Sequence, residues 1–156
     1  MEITMYWRLI LFAVALVFVW NTSVAQDADD QMEDSVAVSI AQAEADAIAA
    51  ADHWLAIVDE AAWLQSHTEA SQLFKSAVAP DLWVQQISAA RTPFGPFISR
   101  TLTGSQYATS LPGAPDGEYV VLTYQAKFKN KANATETVTP MKDSDGTWRV
   151  SGYYIK

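Results

Sequence analysis

Apolar residues recur at helical spacing along the first half of the chain. Between residues 48 and 62 they follow steps of three and four residues, and the members of this stripe are Ile48, Ala51, Leu55, Val58 and Ala62. Such spacing places all of them on one face of a helix. The alanines between residues 41 and 51 add helix propensity. The pattern therefore predicts one long helix over residues 38–65.

Two shorter helices are predicted after this one. Ser66 and Glu69 have the spacing of a capping box, in which Ser66 caps a helix N-terminus and Glu69 reaches back to it. This second helix is expected to end near residue 78, and its predicted buried residues are Ala70, Leu73 or Phe74, and Ala77. Pro80 suits the first position of a third helix, because proline lacks the N–H group that this position leaves unbonded. The predicted buried residues of the third helix are Trp83, Ile87 and Ala90.

The hydrophobic period changes from helical to alternating after Pro96. In residues 118–129 the apolar positions are Val120, Leu122, Tyr124, Ala126 and Phe128, with polar residues between most of them. A strand with one buried and one solvated face produces this alternation. Further strands are predicted over residues 97–109, 134–141 and 147–155, the last with Trp148, Val150, Gly152 and Tyr154 on one face. The order predicts an α+β domain in which about three N-terminal helices pack on one face of a four-stranded antiparallel sheet.

The first 25 residues have the three parts of a secretory signal. Arg8 precedes an unbroken apolar run over residues 9–20, and small residues at 23 and 25 suit a signal peptidase. We expect cleavage after Ala25 and a periplasmic or secreted protein. An uncleaved membrane anchor is the alternative, although the run of about 12 residues is shorter than the roughly 20 that a spanning helix needs.

Residues 26–37 are rich in acidic side chains and contain few large apolar ones. Such a segment cannot bury enough surface to become ordered, so we expect a solvated linker. A single domain is predicted to follow over residues 38–156.

Composition and charge exclude several classes of function. The formal net charge of −8 argues against a nucleic-acid partner. The chain has no cysteine, which excludes disulfides and thiolate metal sites. Half of the residues are hydrophobic, so apolar packing has to hold the domain together.

A set of motifs in the second half of the chain recurs in a fixed order. These motifs are LPG at 111–113, ETVT at 136–139 and GTWRVSGY at 146–153, preceded by RTPFGPFISR at 91–100 and by Trp54, Asp59 and Trp63. Together they resemble the bacterial exported family of domains of unknown function that carries the number 4019, over residues 47–156. The resemblance implies no known activity. Its order of helices followed by a sheet is similar to the cone-shaped folds of nuclear transport factor two and ketosteroid isomerase, which implies a fold and not a function.

The sequence predicts no metal site, no cofactor and no catalytic residue. Asp46, His53 and Glu60 lie on one helix face, but steps of seven residues separate them by about 10 Å each, too far for one ion. Neither a nucleophile elbow nor a phosphate-binding glycine loop is present.

Two arginines lie on either side of the predicted crossing from helix to sheet, Arg91 and Arg100. Arg100 alternates with Ile98 and Leu102, which places its guanidinium on a predicted apolar face. A buried guanidinium needs a carboxylate or an anionic ligand. We therefore weigh an internal ion pair, with Asp59 as the candidate partner, against an anion-binding site.

Aromatic residues are dense in the predicted domain: Trp54, Trp63, Trp83, Tyr107, Tyr124, Trp148, Tyr153 and Tyr154. They either fill the core or line a pocket for a small molecule. An acid–base enzyme would place a carboxylate beside a tyrosine in such a pocket, and Asp59 with Tyr124 is the pair to test. The candidate ligand-binding residues are therefore Arg91, Arg100, Asp59 and Tyr124.

The features together predict a non-enzymatic binding or interaction module of the bacterial cell envelope. We expect it to bind a small molecule or an envelope protein through its sheet and helix crossing. The alternative is an isomerase- or dehydratase-like enzyme with a carboxylate in an aromatic pocket. A third possibility is a structural or inhibitory domain that pairs through an exposed sheet edge, although Pro140 gives its strand the character of a protected edge.

Overall fold

Helix α1 is the first element of the computed structural model, which describes residues 23–156. It spans Ser23–Asp59 and continues directly through the predicted acidic linker. Residues 1–22, with most of the predicted secretory signal, lie outside the described residues. The acidic residues that are described lie in this helix, and residues 31–37 are exposed. No described helix combines the length and the apolar character that crossing a membrane requires.

Three short helices follow, and then a four-stranded antiparallel sheet. The helices are α2 (Trp63–Thr68), α3 (Gln72–Ala77) and α4 (Pro80–Arg91), with a 3-10 turn at Thr92–Phe94. The strands are β1 (Phe97–Ala108), β2 (Tyr119–Phe128), β3 (Lys131–Lys142) and β4 (Trp148–Ile155), and they pair in chain order. The predicted α+β architecture is therefore confirmed. Its likeness to the cone-shaped fold stays a prediction.

The first predicted helix does not run uninterrupted to residue 65. It ends at Asp59, and Ala61 takes a left-handed conformation with φ of 58°. The N–H of Ala62 donates to the Ile57 carbonyl over 3.1 Å and that of Ala61 to Val58 over 3.0 Å. These two bonds form a Schellman motif, which ends a helix even though its usual glycine is here an alanine. The prediction of one helix over 38–65 is wrong at residues 60–62 for this reason.

The second predicted helix begins later than its sequence pattern indicated. Ser66 lies inside α2, where its hydroxyl donates to the Trp63 carbonyl over 2.8 Å, so the predicted capping box is wrong. The residue that caps a helix here is Ser71, whose Oγ accepts from the Phe74 N–H over 3.1 Å at the start of α3. Pro80 begins α4 as predicted.

The core lies between the helices and one face of the sheet. Helix α1 contributes the small and branched residues Ala43, Ala47, Ala51, Leu55 and Val58. The sheet contributes Val120, Leu122, Tyr124, Val138, Trp148 and Val150. All five predicted inward residues of β2 are buried, which confirms its alternation. Trp54, Trp83, Tyr124 and Trp148 are also buried, so the interpretation of these aromatics as core residues is confirmed.

A bulge in β4 reverses the predicted side of its last residues. Thr139 pairs with Gly152 but Pro140 pairs with Val150, so β4 has one extra residue at this point. A one-residue slip moves the following side chains to the other face. Tyr153 therefore packs against the core, whereas Tyr154 is 61% exposed, and the predicted inward position of Tyr154 is wrong.

Pro140 does not mark an edge strand. It lies in β3, between β2 and β4, and its prediction as part of a protected edge is wrong. Proline has no N–H to donate to a neighbouring strand, and the bulge in β4 opposite Pro140 removes the need for that hydrogen bond. The edges of the described sheet are β1 and β4, and the Ser71 N–H donates to the Val150 carbonyl of β4 over 2.9 Å.

Candidate functional site

Two arginines and two carboxylates meet between the ends of two helices and the sheet. Asp59 is the last residue of α1 and Arg91 is the last residue of α4. Arg100 lies in β1 and Glu136 in β3. We call these four residues the ion cluster. Their formal charges sum to zero.

Asp59 is held by both arginines. Its Oδ1 accepts from Arg91 Nη2 over 2.5 Å and from Arg100 Nη2 over 3.2 Å. Its Oδ2 accepts from Arg100 Nη1 over 2.9 Å. The forked guanidinium of Arg100 therefore binds both oxygens of one carboxylate, which is the bidentate geometry that stabilises such pairs most.

Glu136 binds the same two arginines from the side of the sheet. Its Oε1 accepts from Arg91 Nη1 over 2.7 Å and from the Tyr153 hydroxyl over 2.6 Å. Its Oε2 accepts from Arg100 Nε over 2.6 Å. Each arginine thus bridges the two carboxylates, and the cluster together with Tyr153 links α1, α4, β1, β3 and β4.

Water has little access to these charges. The exposed fractions of the side chains are 4% for Arg91, 10% for Arg100, 13% for Asp59 and 0% for Glu136. The Arg91 guanidinium lies 4.4 Å from the Phe128 ring centroid, and that of Arg100 lies 4.4 Å from Phe97. Aromatic faces attract cations, so the rings help to compensate for the lost water.

Burial and neighbouring charges shift the pKa values of Arg100 and of Tyr153, which contacts the cluster. Burial by itself lowers the pKa of Arg100, but its hydrogen bonds to Asp59 and Glu136 outweigh this effect and raise the pKa above its ordinary value. Burial, followed by the charge of Glu136, raises the pKa of Tyr153. Arg100 is therefore charged and Tyr153 neutral at physiological pH.

Three of the four candidate residues from the sequence lie in this cluster. The predicted internal ion pair of Arg100 with Asp59 is confirmed, and Arg91 joins it from α4, where it replaces the predicted buried Ala90. Ile98 is 53% exposed, because the pairing of β1 shifts between Phe97 and Ser99 and leaves this residue out of the inward face. A ligand-binding role for the candidate residues stays a prediction.

Tyr124 is not the partner of Asp59. Its hydroxyl donates to Asp52 Oδ1 over 3.1 Å. Asp52 lies about two turns before Asp59 in α1. Burial, followed by the charge of Asp52, raises the pKa of Tyr124. The predicted acid–base pair of Asp59 and Tyr124 is therefore wrong, because Asp59 is engaged by the two arginines.

A second polar region is a groove of about 420 Å³ between α1, α3 and the start of β4, with Trp148 in its wall. Several of its polar side chains bind one another: His53 Nε2 lies 2.7 Å from Glu69 Oε2, and Arg149 binds Asp145 over 2.9 Å. The hydrogen bonds from Gln65 and His53 lower the pKa of Glu69. The described residues contain no group of three or more ligands that could hold a metal ion.

The central part of the sheet face opposite the helices carries uncharged side chains, and Lys127 and Lys156 lie at its border on the same face. In the register of the strands, Thr101 pairs with Gln125 and Gln125 with Thr135, while Gly104, Thr123, Thr137 and Tyr154 form the next row. Gln106 pairs with Val121, and Thr139 with Gly152. We call these eleven positions the uncovered face, since the core residues of the helices, from Ala43 onward, pack on the other side. None of the eleven is charged.

The comparison with protein families decides the identity of the chain. Residues 50–153 match the family model described as "Protein of unknown function (DUF4019)". The chain belongs to this family. The matched residues include the ion cluster, Tyr153 and every residue of the uncovered face except Tyr154. No curated protein and no solved structure is significantly similar to the chain.

The residue that sequence reasoning missed in the DUF4019 domain is Glu136. It is fully buried and accepts three hydrogen bonds. The signal was present, because Glu136 alternates with Ala134 and Val138 on the apolar face of a strand. A carboxylate at such a position needs a buried cation, and the two arginines were the candidates.

The ion cluster leaves no polar group free for chemistry. In the part of the chain that the structure describes with its side chains, every buried side-chain nitrogen and oxygen has a hydrogen-bond partner. Both carboxylates accept hydrogen bonds from the arginines on both of their oxygens, so neither is free to contact a substrate as a general acid or base. The DUF4019 domain can use this cluster to fix helices against the sheet, or to bind an anion in exchange for one of its own carboxylates.

Proposed function

We propose that this DUF4019 domain is a non-enzymatic binding module of the bacterial cell envelope, which binds an uncharged glycan through its uncovered face. The observation that carries the proposal is the chemistry of that face. In a chain with a net charge of −8, its eleven positions present threonine hydroxyls, glutamine amides and one exposed tyrosine but no charge, and two lysines, Lys127 and Lys156, border them on the same face. Export, as expected from the first 25 residues, would bring it into contact with envelope glycans.

The chemistry of the face favours a polyhydroxylated ligand over a protein. Protein interfaces are centred on buried aromatic, methionine or arginine side chains that fill pockets on the partner. The uncovered face instead offers short side chains that both donate and accept hydrogen bonds. Tyr154, which is 61% exposed beside Thr137, supplies a flat ring against which the apolar face of a sugar can pack.

The enzymatic alternative has less support. A general acid or base needs a carboxylate of raised pKa within reach of a substrate. Asp59 and Glu136 are bound by arginines, and Asp52 accepts from Tyr124. Binding without catalysis therefore fits the arrangement better.

The test measures binding of a soluble neutral oligomer of N-acetylglucosamine by isothermal titration calorimetry. We expect binding to the unmodified protein, and no binding of a polyanionic oligogalacturonate. Thr137→Lys places a charge at the centre of the face, and we expect it to weaken binding by at least about tenfold, or about 1.4 kcal/mol. Tyr154→Ala removes the exposed ring, and we expect a similar loss.

The matched control is Thr147→Lys, which adds the same charge at an exposed position outside the uncovered face. It should bind the neutral oligomer as the unmodified protein does. Absence of binding, or equal weakening by the two lysine substitutions, contradicts the proposal. A dimer in sedimentation experiments that Thr137→Lys dissociates also contradicts it, because the face would then bind a second copy of the chain.

A further inference from the structure

We infer that Arg91 and Arg100 form a binding site for a monocarboxylate, and that Asp59 occupies this site from within the chain. This site lies among the helices, on the other side of the sheet from the uncovered face, and does not depend on the proposed function. Three guanidinium N–H groups converge on the two oxygens of the Asp59 carboxylate, at 2.5, 2.9 and 3.2 Å. A carboxylate from solution can accept the same three hydrogen bonds, because all three end on the carboxyl oxygens and none involves another part of the aspartate.

The two carboxylates of the ion cluster are held very differently. Glu136 has no exposed surface, lies within β3 and accepts a further bond from Tyr153. Asp59 is 13% exposed and lies at the last residue of a helix. Asp59 is therefore the more exposed member of the pair and the one that an outside ligand can replace.

The position of Asp59 in its helix favours this exchange. A negative charge at a helix C-terminus is repelled by the helix dipole. The chain then turns through the left-handed Ala61, where a residue with a Cβ is strained. Local opening at the end of α1 therefore breaks the contact of Asp59 with the two arginines, and the helix dipole does not stabilise that contact.

The charge balance of the cluster selects the class of ligand. Glu136 neutralises one arginine, so the place of Asp59 requires one negative charge. A small monocarboxylate such as formate or acetate restores the balance, whereas sulfate brings two charges and a tetrahedral shape to a planar fork. In the unmodified protein such a ligand competes with a tethered carboxylate, whose effective concentration is about millimolar or higher.

The test uses Asp59→Ala, which removes the internal carboxylate and leaves space in front of the arginines. We expect its thermal midpoint to fall below that of the unmodified protein and to rise again with acetate. Above the dissociation constant, each tenfold increase in acetate should raise the midpoint by about 5 °C. Sodium chloride at the same ionic strength should not produce this rise.

Two variants serve as controls. Asp59→Asn also removes the charge but fills the space with a carboxamide, so acetate should not restore its midpoint. Glu118→Ala removes a carboxylate from the exposed pair with Lys142, and acetate should leave its midpoint unchanged. Equal effects of acetate and chloride on Asp59→Ala overturn the inference, as does equal recovery of Asp59→Asn.

If Asp59→Ala is unfolded in dilute buffer, the same comparison uses refolding. Recovery of the native circular dichroism spectrum in acetate but not in chloride supports the site. Failure to refold in acetate, or equal refolding in both salts, overturns it.

Discussion

Removing the charge of Glu136 is expected to be among the most destabilising single substitutions in the domain. Glu136→Gln keeps the size and shape of the side chain. The carboxylate accepts three hydrogen bonds of 2.6–2.7 Å, two of them from arginines, at a position with no exposed surface. A glutamine amide group donates hydrogen bonds, so it must face at least one of these donors with another donor.

The expected cost follows from the charge that remains. With Glu136 neutral, Arg91 and Arg100 share only Asp59, and one buried positive charge has no counterion. Breaking a buried ion pair in this way costs about 3–5 kcal/mol. Domains of this size have free energies of unfolding of about 5–15 kcal/mol. The midpoint of thermal unfolding should therefore fall by about 12–20 °C.

The assay is urea unfolding followed by tryptophan fluorescence, because Trp54, Trp83 and Trp148 are buried and report on the core. The matched control is Glu118→Gln, which removes the same charge from a pair with Lys142 whose side chains are 39% and 40% exposed. Exposed pairs contribute about 0–1 kcal/mol. A loss below about 1 kcal/mol for Glu136→Gln, or one equal to that of Glu118→Gln, refutes the reasoning that buried charge governs the stability of this site.

Three further predictions concern other parts of the chain. Because folding raises the pKa values of Tyr124 and Tyr153 above about 10, stability should be complete below that pH and fall above it by up to about 1.4 kcal/mol per pH unit for each tyrosine. Urea unfolding between pH 9 and about 11 should show a shallower fall for Tyr153→Phe than for the exposed control Tyr154→Phe; equal slopes contradict this. Ala61→Gly should stabilise the domain by about 0.5–1 kcal/mol in urea unfolding, since glycine adopts positive φ without strain, and a loss of stability contradicts it. The mass of the protein recovered from the periplasm of an expressing bacterium should correspond to a chain that begins at Gln26, and a mass that includes residues 1–25 contradicts cleavage.

The strands were predictable because one face of the sheet is buried and the other is not. A strand in this situation has a period of two that no helix shares. The predicted bounds of β2, 118–129, differ from the observed Tyr119–Phe128 by one residue at each end. The start of α4 was also predictable from the sequence, because a proline at the first position of a helix is a strong local signal.

The errors lie where backbone geometry changes without a change in the local pattern. The helix end at residues 60–62 contains neither glycine nor proline, and alanine at the left-handed position gives no warning. The bulge in β4 is set by pairing with β3, where proline lacks a donor. Its effect on Tyr153 and Tyr154 is therefore a property of two strands together and not of either sequence alone.

The ion cluster depends on a feature of the sheet that no single segment contains. Arg100 of β1 pairs with Ala126 of β2, and Ala126 pairs with Ala134 of β3. Two alanines in one row leave room above the sheet, so that the long side chain of Arg100 can reach across β2 to Glu136. Larger residues in that row would fill the space and leave the guanidinium without its second carboxylate. The short side chains of Ala126 and Ala134, both buried, thus accommodate the cluster, although neither alanine shows this in the sequence.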